Sequence, residues 1–183
     1  MATRNLTSFE VLSSPIAPGV PDVPYIQQGF FLQVTNMGPA NAFLGVQYLA
    51  SPTFVESKGA VKLFANVIDE TGMPQQYPLG GFLGAPVGFE GLNVPAGATW
   101  LIGVQYLLLP PPAPLLDPAT GSTPQDAAMA RGVVRIDASA GTKWMMLATV
   151  RQVFSTYTPA GGLIEYDSAA YPVPLLGGPE QLF

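Results

Sequence analysis

The sequence predicts an all-β protein, a sandwich or barrel, and three observations carry that prediction. Six segments, 30–35, 42–50, 60–68, 99–109, 132–138 and 143–157, are apolar or alternating runs rich in β-branched and aromatic residues. Each is bounded by Gly, Pro or Asn, so turn signals recur at short spacing. Gly and Pro number 20 each in 183 residues, about twice their average usage, while 48% hydrophobic residues supply a sizeable core. That apolar content, with a net charge of only −5, places the chain far from disordered compositions, and its length suits one folded domain.

Taken in chain order, residues 1–24 read as an extended N-terminal arm, because 14–24 carry prolines too closely spaced for a helix or a central strand. The β domain follows over 25–170. Period-two alternation assigns its faces. Leu44, Val46 and Tyr48 share one side of their strand; Trp100, Ile102, Val104, Tyr106 and Leu108 share one side of theirs, opposite Thr99, Gly103 and Gln105. In the last long run Trp144, Met146, Ala148, Val150 and Phe154 point one way, with Thr149, Arg151 and Ser155 opposite. Phe43-Leu-Gly-Val-Gln-Tyr-Leu49 and Leu101-Ile-Gly-Val-Gln-Tyr-Leu107 match, with Pro52 and Pro110 in register. The match fades outside these residues, which favours two strands under the same packing rules over an internal duplication.

The proline-rich stretch 110–118 is a surface crossing within the domain, since neither side alone holds a complete sandwich. After it, Thr123-Pro-Gln-Asp126 before Ala127-Ala-Met-Ala130 and Gly132 predicts one short helix over about 124–131, with Thr as cap and Pro at the first helical position. Residues 171–183 form an extended C-terminal arm, in which Leu175, Leu176, Leu182 and Phe183 are apolar and Gly177-Gly178-Pro179 prevents regular structure. Four large apolar groups gain nothing from exposure. The arm is therefore expected to dock on its own barrel or, in preference, on a neighbouring subunit.

Two absences remove whole classes of chemistry. Without His or Cys the chain cannot build a Cys/His zinc site, a His-dependent nucleophile system, a thiol redox pair or an iron–sulfur cluster. Its cations, Arg4, Lys58, Lys62, Arg131, Arg135, Lys143 and Arg151, make no basic patch of the kind that binds a phosphate backbone, so no direct nucleic-acid partner is expected. The N-terminal residues lack the apolar core of a secretory signal. The apolar run 100–109 is too short to span a bilayer as a helix, and Pro110, Pro111 and Pro112 end it.

Candidate sites are few. Asp69-Glu70 before Thr71-Gly72 reads as a turn. Asp137, Glu165 and Asp167 lack the spacing of a calcium loop. Trp100, Trp144, Tyr48, Tyr106, Tyr157, Tyr166 and Tyr171 offer material for a sugar-stacking platform, but most lie on apolar faces and read as core. Gly80-Gly81 and Gly161-Gly162 are turns with no helix dipole to complete a phosphate cradle. Asn5-Leu6-Thr7 matches a glycosylation sequon, a pattern common by chance. No catalytic residue, cofactor, metal ligand or small-molecule substrate is expected.

The surface arithmetic points elsewhere. With 7 Lys and Arg and 12 Asp and Glu, charged side chains make up 10% of the chain, against roughly 25% in ordinary soluble domains. Charge normally keeps an exterior soluble and unassociated. Its scarcity predicts self-association that covers much of the surface, with the proline-rich arms lying across neighbours at a reduced ordering cost.

About eight strands in one domain, arms at 14–24 and 171–183 and a charge-poor exterior resemble a viral coat subunit of the single β-barrel kind. More narrowly, the chain resembles the smaller major capsid protein of icosahedral double-stranded DNA viruses with an internal membrane. That resemblance implies an upright jelly-roll barrel, a place in the virion shell beside a larger coat protein, and a lipid layer beneath. The missing basic N-terminal arm departs from coat proteins that bind their genome directly and suits a shell separated from DNA by membrane. The expected function is thus a non-enzymatic structural subunit. A secreted carbohydrate-binding or adhesion sandwich is the alternative.

Overall fold

A computed structural model describes residues 1–16, 24–51, 61–79, 87–108, 128–157 and 163–183. The described chain is all-β, with eleven strands: β1 (Ala2–Pro15), β2 (Tyr25–Asn36), β3 (Ala42–Ala50), β4 (Val61–Ile68), β5 (Pro74–Leu79), β6 (Val87–Val94), β7 (Thr99–Leu108), β8 (Ala128–Ala138), β9 (Lys143–Tyr157), β10 (Leu163–Val173) and β11 (Glu180–Leu182). Eight of them run in the order β5-β4-β7-β2-β1-β8-β3-β6, and every recorded pairing is antiparallel. Beyond this path β9 pairs with the far edge of β2, and β10 and β11 pair with β9.

The sheet curls into a half-barrel, and β2 is where it bends. One edge of β2 is shared by two strands: Tyr25–Gln28 faces Leu12–Pro15 of β1, and Gly29–Thr35 faces Gln105–Thr99 of β7. Strands β2 and β3 are three steps apart along the path, about 14 Å in a flat sheet. Yet the rings of Phe30 on β2 and Tyr48 on β3 lie 6.0 Å apart, and Phe9 of β1 contacts both edge-on at 6.3 and 5.4 Å. The core therefore lies between a first half, β6-β3-β8-β1, and a second half, β5-β4-β7-β2 with β9, which face each other.

The expected faces hold in part: Phe154 is only partly buried, and the Leu108 side chain lies outside what is described. Leu44, Val46, Tyr48, Ile102, Val104, Tyr106, Trp144, Met146 and Ala148 are buried, with Trp100 and Val150 packed at the core margin. Ser155 departs from its expected outward place: it is fully buried and accepts from Gln27 Nε2 at 3.0 Å. The Asp69-Glu70 turn is also present, closed by Gly72 N–H donating to Asp69 O at 3.1 Å, with Glu70 accepting from Trp100 Nε1 at 2.5 Å.

Two expectations change. The short helix is replaced over Ala128–Arg131 by the start of β8, while 124–127 lie outside the described residues. Ala128 and Ala130 stand opposite Ser13 and Val11 of β1 and are buried, so burial against a partner strand overrides the helix preference of alanine. The N-terminal segment is a strand rather than a free arm as far as Pro15, with Leu6, Phe9 and Val11 in the core; 17–23 lie outside the described residues. The crossing 110–118, Gly80-Gly81 and Gly161-Gly162 also lie outside them. No helix among the described residues is long and apolar enough to cross a membrane.

Candidate functional site

The surface singled out by sequence is the C-terminal segment, and its placement follows from an unpaired edge. Strand β1 pairs with β8 along Ala2–Ser13 but meets β2 only at Leu12–Pro15. The other edge of its first ten residues is thus left open where the two halves of the sheet diverge, and open polar backbone is a liability. The C-terminal segment fills that seam. Leu176 N–H donates to Leu6 O at 2.8 Å, and the Thr7 hydroxyl donates to Pro174 O at 2.8 Å. On its other side, β11 pairs with Lys143–Met145 of β9 and Met146 N–H donates to Pro179 O at 2.8 Å.

Gln181 and Arg4 fix the segment. The Gln181 side chain, 1% exposed, donates to the carbonyls of Gly178 at 2.6 Å and Leu176 at 3.0 Å, replacing the ladder partners that the Gly177-Gly178 turn lacks. Arg4 donates to Leu182 O at 2.6 Å and to Gln181 Oε1 at 3.3 Å, and its guanidinium stands 4.6 Å from the Phe183 ring centroid. A Lys143–Glu180 ion pair of 3.0 Å adds little at half exposure.

The four expected anchors divide in two. Phe183 is 8% exposed and belongs to the chain's own core, and Leu175 packs against that core. Leu176 and Leu182 are 64% and 66% exposed and point away from it. Within the single chain the segment lies against its own sheet. Sequence reasoning missed Arg4 and Thr7, which receive the segment, and Gln181, which braces it from within, because their role depends on a seam visible only once strand register is known.

The remaining candidates separate. Trp144, Tyr48 and Tyr106 are core, and Trp100 is half-buried, so these aromatics form no outward platform. Tyr171 is exposed on β10. Asp137 on β8 accepts from the Thr3 hydroxyl of β1, whereas Glu165 and Asp167 belong to β10, and no cluster of three potential metal ligands occurs among the described residues. Asn5 is exposed at a β-bulge, and the Thr7 hydroxyl of its sequon is engaged by Pro174. The chain matches no known family model and no curated protein.

Proposed function

We propose that the chain is a non-enzymatic subunit of a large self-associating assembly, a jelly-roll coat protein of a virion shell. The fold part of this reading is supported by the pairing scheme: β1 with β8, β2 with β7, β3 with β6, β4 with β5. Nested pairing of that kind arises when one long antiparallel ribbon of eight strands is rolled up, which is the jelly-roll arrangement. The fold is shared by shell, lectin and other proteins, so function has to be argued from the surface.

The observation that carries the assembly reading is the outward presentation of large apolar side chains by a surface with few charges. Phe43, Leu147, Ile164, Tyr171, Leu176 and Leu182 are each about half or more exposed. A monomer in water gains nothing from them, and a neighbour that covers them does. A larger coat protein and an underlying lipid layer complete the proposal as the partners such a shell requires.

Sedimentation velocity and electron microscopy across a concentration series test it. The wild type is expected to form discrete large particles, alone or with its coat partner. The double variant Leu176→Asp, Leu182→Asp should shift the particles toward subunits while leaving the melting temperature unchanged, because neither side chain contributes to the core. A strictly monomeric wild type at high concentration and moderate salt overturns the reading.

A further inference from the structure

The outer face of the second half of the sheet holds a groove of about 370 Å³, in the size range of small-ligand sites. Strand register explains why it is there. Thr149, Phe31, Gly103, Asn66 and Gln76 stand in one row across β9, β2, β7, β4 and β5. The adjacent row is Arg151, Gly29, Gln105 and Phe64. Gly103 and Gly29 leave the floor low, and the Phe31 ring lies across both: its Cε2 comes within 2.8 Å of where a Cβ on Gly29 would sit. The ring is 8% exposed and carries the Arg151 guanidinium 4.6 Å from its centroid.

Two observations point to a ligand. Asn66 lines the groove at 8% exposure, and its Nδ2 has no hydrogen-bond partner, a costly state for a buried amide. Arg151 lines the same groove with its guanidinium over the Phe31 ring, and no carboxylate pairs with it among the described residues. No described lining residue is acidic, so the groove favours an anion. Leu101 and Ile68 supply apolar walls, and Gln105 supplies a further amide.

These features select among anions. A nucleic-acid strand needs several cations, and the described lining of the groove holds one. An extended peptide binds best on a sheet edge, whereas β2, β7 and β4 have ladder partners on both sides. A saccharide fits: side-chain amides both donate to and accept from hydroxyls, apolar walls meet the C–H face of a sugar ring, and Arg engages a carboxylate with paired donors. We propose that this groove binds an acidic saccharide of the uronate or sialate type, with its carboxylate on Arg151 and its hydroxyls on Asn66 and Gln105. The site is complete within one subunit and does not rest on the assembly reading.

Saturation-transfer NMR tests it with a glucuronate-containing disaccharide as probe, a neutral disaccharide and sodium acetate as controls, each up to about 10 mM. The acidic disaccharide is expected to bind saturably, and both controls at least about tenfold more weakly. Arg151→Ala and Asn66→Ala should each weaken binding by about tenfold or more, with the Asn66→Ala melting temperature not lowered. Equal binding of the neutral sugar, acetate binding as tightly as the disaccharide, no saturable binding at all, or unchanged affinity in Arg151→Ala each overturns the proposal.

Discussion

Gly132 in the first half of the sheet and Gly103 in the second are both glycines in strand interiors, and they serve different ends. A Cβ at Gly132 would run into the backbone of β3, reaching the Leu49 carbonyl and coming within 2.8 Å of Ala50 Cα. A Cβ at Gly103 would meet mainly the side chain of Phe31, with Cε1 at 2.7 Å and the Phe30 carbonyl at 3.1 Å. In one half the missing side chain lets two backbones approach; in the other it lets an aromatic ring lie flat beneath Arg151. The first arrangement is rigid and structural, and the second leaves the outer face adjustable.

The sharpest way to break that contrast is Gly132→Ala. Backbone cannot rotate aside, so the substitution should cost about 3 kcal/mol or more, the upper end of overpacking effects, read as a loss in the denaturant midpoint at constant slope. A cost under about 1 kcal/mol would mean that β3 and β8 can separate locally and that the close approach is not a constraint.

The next largest effect tests the inner face of the second half, one residue beyond Gly103. Val104 is fully buried between Ala65 and Phe30 in register, and Val104→Ala should cost about 1 to 3 kcal/mol through lost burial and the cavity left behind. A neutral result would place the face assignment one residue out, since a register slip of one inverts every side chain.

Inner faces such as this one are legible in sequence because alternation survives in β3, β7 and the first part of β9. Strand β1 is not legible, for a physical reason. Its ladder shifts between Asn5 and Thr7, so the buried positions run Leu6, Phe9, Val11 and the period of two is broken. Strand β6 pairs Leu92 with Leu44 but Phe89 with Val46, a shift near Gly91, whose φ of 66° is open to glycine. Strand β10 shifts between Glu165 and Asp167. The groove is hidden differently: Phe31 lies inside the continuous run Phe30-Phe31-Leu32, where both faces are apolar, and Gly103 becomes its neighbour only through pairing of β2 with β7.

A smaller effect is expected from Gly103→Ala. The obstructing group is a side chain on the floor of the groove rather than backbone, so Phe31 shifts into the groove and the cost should be about 1 to 2 kcal/mol, below that of Gly132→Ala. Displacing the ring also displaces Arg151, so this variant should lose affinity for the acidic disaccharide out of proportion to its lost stability. If its thermal unfolding drops as far as that of Gly132→Ala, Phe31 is locked and the two glycines are alike after all.

The smallest effect has the opposite sign and sits where the two halves meet. Tyr48 is fully buried between Phe9 and Phe30, and its hydroxyl has no hydrogen-bond partner. Burial pushes its phenol well above the ordinary tyrosine range. Tyr48→Phe removes a desolvated hydroxyl and keeps the ring packing, so stability at neutral pH should be unchanged or rise by up to about 1 kcal/mol. A second readout fixes the cause. Above a pH of about 10 an unfolded tyrosine releases its proton while the folded Tyr48 keeps it, so the unfolded state binds fewer protons and wild-type stability falls as pH rises. Removing that proton should flatten the decline, by up to about 1.4 kcal/mol for each pH unit beyond the unfolded value. If Tyr48→Phe instead destabilises the protein at neutral pH and leaves the alkaline slope unchanged, the hydroxyl has a partner in solution, and the interior between the halves is wetter than its aromatic packing implies.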